Sequence, residues 1–232
     1  MKKLFSYFTR GERLLWLLSV LCILAAFLLF DRSRYLTLCA SLVGVTSLIF
    51  NAKGNPLGQG LMLLFSALYA IISWSFRYYG EMLTYLGMTA PMALAALISW
   101  LRHPYQGGKA EVAVNRLRRG EVPFLLLLTA AVTAGFYFLL AALHTANLLP
   151  STISVTTSFL AAYLTFRRST WYALAYAAND VVLIVLWVMA AASDPSYWAV
   201  VVCFTAFLAG DLYGFVSWER MKRRQQAAVR PR

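Results

Sequence analysis

The chain has 232 residues, of which 61% are hydrophobic and only 13% charged, and its mean hydropathy is +0.66. Soluble domains carry about 25% charged residues, so an ordinary soluble fold is excluded, and long apolar runs that do not alternate exclude barrel strands in favour of membrane-spanning helices. A net charge of +12 could point to nucleic acid, but the charges are distributed as membrane topology requires, and no nucleic-acid partner is read from them.

Residues 1–13 are polar and basic, and 14–30 (LLWLLSVLCILAAFLLF) form a continuous apolar run. The run is long for a cleaved signal peptide and no small-x-small cleavage site follows it, so it reads as a spanning helix. Further runs occupy 35–51, 58–77, 82–101, 122–144, 149–166, 171–192 and 196–218. Each approaches the ~20 residues that a bilayer core demands. Gly, Pro and paired charges punctuate them, at Lys53-Gly-Asn-Pro56, Tyr78-Tyr-Gly-Glu81, 102–121, Asn147–Pro150, Arg167-Arg168-Ser169 and Asp194-Pro195. The fold class is therefore all-α integral membrane, with eight transmembrane helices.

Charge sets the orientation. With a cytoplasmic N-terminus and eight crossings, 18 of the 21 Lys and Arg residues fall on the cytoplasmic side, and only Arg32, Arg34 and Arg77 fall outside. That asymmetry is the positive-inside pattern, and it places both termini in the cytoplasm. The tail 219–232 reads as a solvated end drawn to the lipid surface. Cys22, Cys39 and Cys203 are scattered through apolar runs with neither metal-ligand spacing nor a disulfide framework.

A weak internal repeat divides the chain. Spans two to four and six to eight each run from a small- and hydroxyl-rich helix through a short basic turn to a helix ending in Trp (LYAIISW to Trp74, VVLIVLW to Trp187), then a third helix. The triplets start four crossings apart and so point the same way, with span five as the inverting linker. The expected organisation is 1–34 (basic segment and first helix), 35–101 (first repeat), 102–148 (basic loop and linker helix), 149–218 (second repeat) and 219–232 (tail). Such a three-plus-one-plus-three parallel core, 35–218, is a transporter architecture with its site between the repeats near the bilayer midplane.

The stretch STWYALAYAANDVVLIVLW, 169–187, stands out. On a helix, Tyr172, Tyr176, Asn179, Asp180 and Trp187 fall within an arc of about 100°. An acid at the bilayer centre costs about 3 kcal/mol on insertion scales, so Asp180, and Asp211 in the last span, each require a wet cavity, a hydrogen-bonding partner, a proton or a cationic substrate. Tyr and Trp faces attract a flat cation, and Asn179 can bond a sugar hydroxyl or a carboxamide. The competing explanation for Asn179 and Asp180 is interhelical bonding to Ser154, Thr156 or Thr157. Gln59, Ser66, Tyr69 and Ser73 share a face of the third span and are candidates for the opposing wall. Glu81, with Tyr85 on its face, reads as an outer gate, and Trp218, which shares a face with Asp211, is a further gate candidate. No phosphate-binding GxxxxGK[ST] loop, HExxH helix or nucleophile–base pairing is present. The chain is thus read as no enzyme and as needing no cofactor or metal.

The stretch SLVGVTSLIFNAKGNPLGQGLMLLFSALYAIISWSFRYYGEMLTYLGMTAPM, with LTFRRSTWYALAYAANDVVLIVLW and the terminal LYGFVSW, resembles the PnuC family of vitamin transporters over about residues 35–218. The resemblance implies a SWEET-like fold in a bacterial cytoplasmic (inner) membrane, often as a homotrimer. It implies uptake of nicotinamide riboside by facilitated diffusion, with trapping by a cytoplasmic kinase. Relatives in the family carry thiamine, riboflavin or deoxynucleosides. One departure stands out: the two tryptophans that often precede the asparagine in nicotinamide riboside carriers are Tyr172 and Ala175 here.

Overall fold

The structure is a computed structural model that describes residues 7–75, 79–105, 110–145 and 147–229, without the side chains of 75 and 79–81. Its helices are α1 (Arg10–Phe30), α2 (Tyr35–Ala52), α3 (Leu57–Ser75), α4 (Tyr79–Thr84), α5 (Ala90–Arg102), α6 (Glu121–Ala142), α7 (Leu148–Phe166), α8 (Tyr172–Ala191) and α9 (Trp198–Val229). Among the described residues, eight helical spans are long and apolar enough to cross a bilayer, as the sequence predicts.

Local chemistry explains the boundaries. Thr9 caps α1 in a reciprocal box with Glu12, each side chain bonding the other's backbone N–H. Gly54 turns the chain after α2 at φ +64°, a conformation that glycine adopts without strain. The fourth span is not one regular helix: a π-helical turn, Tyr85–Thr89, joins α4 to α5. Pro91 stands in the first turn of α5 and cannot donate to the Gly87 carbonyl four residues back. The turn before it widens, so that the Ala90 N–H bonds Tyr85 and the Thr89 hydroxyl bonds the Thr84 carbonyl. Helix α9, at 32 residues, is about 48 Å long and outruns a ~30 Å hydrocarbon core. Its basic last turns therefore stand clear of the apolar zone.

Six helices close a ring in the order α2, α3, α5, α7, α8, α9, each packed on the next and α9 back on α2. Helix α6 lies outside the ring against α7, and α1 lies outside against α2 and α9. Their outer faces carry large exposed apolar side chains, such as Leu17, Leu21, Leu127 and Phe138, the surface that lipid requires.

The two ends of the bundle differ. At the basic end, Lys53 pairs with Glu12 (3.2 Å), Arg167 with Glu121 and Arg224 with Glu111. A strap within the loop between α5 and α6 crosses this end. The Val112 N–H bonds the Gly54 carbonyl (2.9 Å), the Asn115 N–H bonds the Arg168 carbonyl (3.0 Å), and the Gln225 side chain bonds both the Val114 N–H and the Val112 carbonyl. At the opposite end, Arg34 stands 3.8 Å from Asp194, and the Ser196 N–H holds the exposed Asp194 carboxyl below its ordinary range.

Candidate functional site

The ring encloses a chamber of about 110 Å³. Every ring helix except α5 gives it a wall, and the π turn and the far end of α6 complete it. Helix α8 provides Tyr172, Tyr176, Asn179 and Asp180, and α9 provides Asp211 with Phe204 and Phe207. Asn51, Met62 and Phe65 come from α2 and α3, while Thr84, Tyr85 and Thr89 come from the π turn and its approach. A row of hydroxyls, Ser151, Ser154 and Ser158, runs along α7. Small-molecule sites usually measure about 300–1,000 Å³, so this chamber is contracted. The rings of Phe65, Tyr85 and Phe207, packed edge to face or tilted, crowd it.

Asn179 is split between two tasks. Its Oδ1 accepts from the Ser154 hydroxyl (3.1 Å) and the Thr157 hydroxyl (2.8 Å), which pins α8 to α7. Its amide NH₂ has no partner among the described residues. The interhelical explanation thus holds for one end of this side chain and leaves the donor end to the chamber. Thr156 instead meets Thr133 on α6 (2.8 Å).

Asp180 and Asp211 are 4% and 5% exposed. They face each other from adjacent helices, with their carboxyls within hydrogen-bonding reach. Asp180 Oδ2 is buried and accepts no hydrogen bond among the described residues. Among the described residues, no Lys, Arg or His lines the chamber. Two acids in an apolar interior with no cation among the described lining residues are electrostatically incomplete: a proton or a cation would supply what is missing.

Tyr172 and Trp218 form the floor towards the basic end. The Tyr172 hydroxyl and the Trp218 indole N–H both donate to the Asn51 carbonyl, at 3.2 and 2.8 Å. Trp100 packs beside them (5.3 Å between the Trp100 and Trp218 rings) and donates to the Thr165 carbonyl at 2.9 Å. This layer ties α2, α5, α7, α8 and α9 together beneath the chamber.

The structure brings Tyr172, Tyr176, Asn179, Asp180, Asp211 and Tyr85 to one cavity, and it places the other predicted residues elsewhere. Trp187 packs on Tyr197 (5.3 Å between rings) in the apolar core, because seven residues beyond Asp180 carry it past the chamber. Gln59 donates to Asn51 Oδ1 (2.9 Å) and so joins α3 to α2. Ser66 is fully buried and bonds the Met62 carbonyl within its own helix. Tyr69 stands behind the wall, stacked on Phe65 (4.8 Å) and Tyr85 (5.0 Å). Trp218 is a buried lock in the floor rather than a chamber wall. The Glu81 side chain lies outside those described. The first repeat instead meets the chamber through Asn51, Met62, Phe65 and the π turn. The Ser151, Ser154, Ser158 spacing, one helical face, is a signal in the sequence that points to the chamber; Asn51 stood at the end of the apolar run 35–51, where nothing marked it out.

A sequence model described as nicotinamide mononucleotide transporter matches residues 34–220. The nicotinamide riboside transporter PnuC of Neisseria mucosa is 26% identical over 227 residues, covering 96% of this chain and 86% of that one. The PnuC of Haemophilus influenzae is 22% identical over 193 residues, covering 82% and 81%. A crystal structure of the vitamin B3 transporter PnuC shares the fold, with TM-score 0.79, 94% of each chain covered and 22% identity. Eight bilayer-length helices, a closed ring with a polar chamber inside it and a family match over most of the chain agree: the chain belongs to the nicotinamide mononucleotide transporter family and is a membrane transporter, not an enzyme.

Proposed function

We propose that the chain carries nicotinamide riboside across a bacterial cytoplasmic membrane, with both termini in the cytoplasm. Transport is passive: the repeats 35–101 and 149–218 rock around the chamber so that it opens first outward and then inward. Phosphorylation of the product inside the cell keeps the gradient downhill, and three copies assemble as the family resemblance implies. The names of the two curated relatives support the substrate. The observation that carries the reading is the buried, cation-free acid pair beside the open amide of Asn179. Nicotinamide riboside is a flat pyridinium cation bearing a sugar. Its charge answers the carboxyls, its ring suits the Tyr172 and Tyr176 faces at about 0.5–2 kcal/mol each, and its hydroxyls or carboxamide suit the amide.

The same acid pair favours one alternative over the others. Thiamine also carries a fixed positive charge, whereas riboflavin and deoxynucleosides do not and would leave the carboxyls unanswered. The replacement of the tryptophan pair by Tyr172 and Ala175 keeps thiamine in view. A calorimetric binding screen of the purified protein against nicotinamide riboside, thiamine, riboflavin and deoxynucleosides tests the reading. Nicotinamide riboside binds, and Asp180→Asn weakens it sharply. Selective binding of thiamine would move the chain to a sister substrate, and selective binding of an uncharged compound would remove the acid pair as the recognition element.

A further inference from the structure

Away from the chamber, α1 and α2 enclose a second hollow of about 220 Å³ on the outer side of the bundle, at its basic end. Phe8, Trp16, Ile49 and Phe50 give it aromatic and aliphatic walls. Its polar side chains are bonded with one exception. Glu12 accepts from the Thr9 N–H (2.7 Å), the Tyr213 hydroxyl (2.9 Å) and the Lys53 ammonium (3.2 Å). The Trp16 indole N–H donates to the Thr46 hydroxyl (3.1 Å), which donates in turn to the Leu42 carbonyl (2.7 Å). The exception is Arg13, whose Nε is buried and has no acceptor among the described residues. A guanidinium N–H shut away from water and left unbonded is costly until an acceptor meets it.

The place of the hollow identifies that acceptor. Arg13 stands in the first turn of α1, and Phe50 stands two residues before the end of α2. The hollow therefore lies where the apolar zone gives way to headgroups. Helix α1 is outside the ring, and Leu17, one turn beyond Arg13 on the same face, is 49% exposed, so this seam borders lipid. An acyl chain suits aromatic and aliphatic walls, and a phosphodiester suits a guanidinium, whose forked N–H groups match two phosphate oxygens. Charge adds a preference. Lys53 neutralises Glu12, and the exposed Arg10, one turn before Arg13, adds to the positive excess. A headgroup with net negative charge is favoured there over a zwitterionic one.

We propose that the hollow between α1 and α2 binds one anionic phospholipid, with its phosphate on Arg13 and its acyl chain against Trp16, Ile49 and Phe50. The lipid fills the seam between the peripheral helix and the ring and holds α1 against α2. The site is independent of the chamber and of what the chamber carries.

Native mass spectrometry of the purified, delipidated protein, titrated with phosphatidylglycerol or phosphatidylcholine, tests the site. The wild type binds one phosphatidylglycerol, and phosphatidylcholine about fivefold more weakly; thermal unfolding shifts upward with phosphatidylglycerol in step. Arg13→Gln weakens phosphatidylglycerol about tenfold, the worth of one charged hydrogen bond. Arg102→Gln, which removes an exposed cation from the same end but on α5, leaves its affinity unchanged. A second arm leaves Arg13 intact. In proteoliposomes, phosphatidylglycerol brominated on its acyl chains quenches the Trp16 emission, read as wild type minus Trp16→Phe, more strongly than brominated phosphatidylcholine at the same mole fraction. Equal affinity of the wild type for the two lipids, or equal quenching by them, would overturn the site. Equal weakening in Arg13→Gln and Arg102→Gln would overturn it too, since it would reduce the effect to the general attraction of a basic end for anionic lipid.

Discussion

Asn179→Ala separates a ligand contact from a structural one, because the two ends of this side chain do different work. The substitution removes the acceptor used by Ser154 and Thr157 and also removes the unpartnered NH₂ on the chamber side. The structural loss is limited. The Thr157 hydroxyl also lies within bonding distance of the Ile153 and Ser154 carbonyls (3.0 and 3.1 Å) and can turn its one proton to either, so only Ser154 loses its bond outright. A loss of about 1–2 kcal/mol in stability follows. The binding loss is larger, because a substrate acceptor that met the amide is now buried without a donor. That costs about 1–3 kcal/mol, or roughly 5- to 150-fold in Kd. Thr157→Val is the matched control: it removes one donor to Oδ1, leaves Ser154 holding the side chain and spares the NH₂, so Kd changes by less than about threefold. Calorimetry with nicotinamide riboside and thermal unfolding in detergent read the two effects separately. Wild-type affinity in Asn179→Ala would show that the amide does not meet the ligand. Equal losses in both variants would show that Asn179 matters only as a tie between α7 and α8.

Three further outcomes follow from the packing and the electrostatics. In Gly58→Ala the new Cβ lies 2.7 Å from the Asn51 backbone nitrogen, so α3 must move off α2 at a cost of about 1–3 kcal/mol; Gly60→Ala, with nothing within 4 Å, instead gains about 0.5–1 kcal/mol, and thermal unfolding reads the opposite signs. Trp187→Ala empties a core site 9% exposed and costs about 3–5 kcal/mol of stability, but the folded fraction binds nicotinamide riboside as the wild type does. Asp194, held below its ordinary value by the Ser196 N–H, keeps this capping bond at neutral pH and loses it only as pH falls through the lowered value. Amide exchange at Ser196, corrected for its intrinsic pH dependence, accelerates in that acid window and not above it.

Much of this architecture was legible in the sequence, because lipid leaves few choices. A run of about 20 apolar residues must be a helix, and the Lys and Arg residues orient it. The α8 stripe was legible for the same reason: an amide and an acid inside an apolar run have to meet something polar. What helical angle does not encode is depth. Trp187 shares the arc of Asp180 but stands seven residues, about 10.5 Å, further along the axis, and the chamber ends between them. The α3 face misled for a different reason. In an apolar medium a serine can satisfy itself on its own helix, as Ser66 does on Met62, so a line of hydroxyls signals local bonding as readily as a wall. Pro91 marked a break in the fourth span, but whether the chain would kink, end or widen into a π turn depended on neighbours that the sequence does not rank. Asn51 was hidden because its importance lies in its backbone carbonyl, which takes Tyr172 and Trp218 from elements over a hundred residues away.

The two ends of the chamber resist opening by different means. Towards the basic end, separation of the helices must break buried polar links: Tyr172 and Trp218 to Asn51, Trp100 to Thr165, and the Ser99 hydroxyl to the Phe166 carbonyl at 2.9 Å. Each buried group freed there costs about 1–3 kcal/mol until water reaches it, and the strap with its fully buried Val112 adds a further layer. Towards the other end, Phe65 meets Tyr85 and Phe207 through ring contacts, and the two Phe rings can slide without stranding a donor. A guest therefore enters past the rings more readily than through the floor. Tyr172 is the residue that belongs to both structures, since it lines the chamber and also locks the floor. In the proposed cycle, a cation drawn to Asp180 lies two turns along the same helix from that lock. A shift of α8 that drew Tyr172 away from Asn51 would break one of the links that close the basic end.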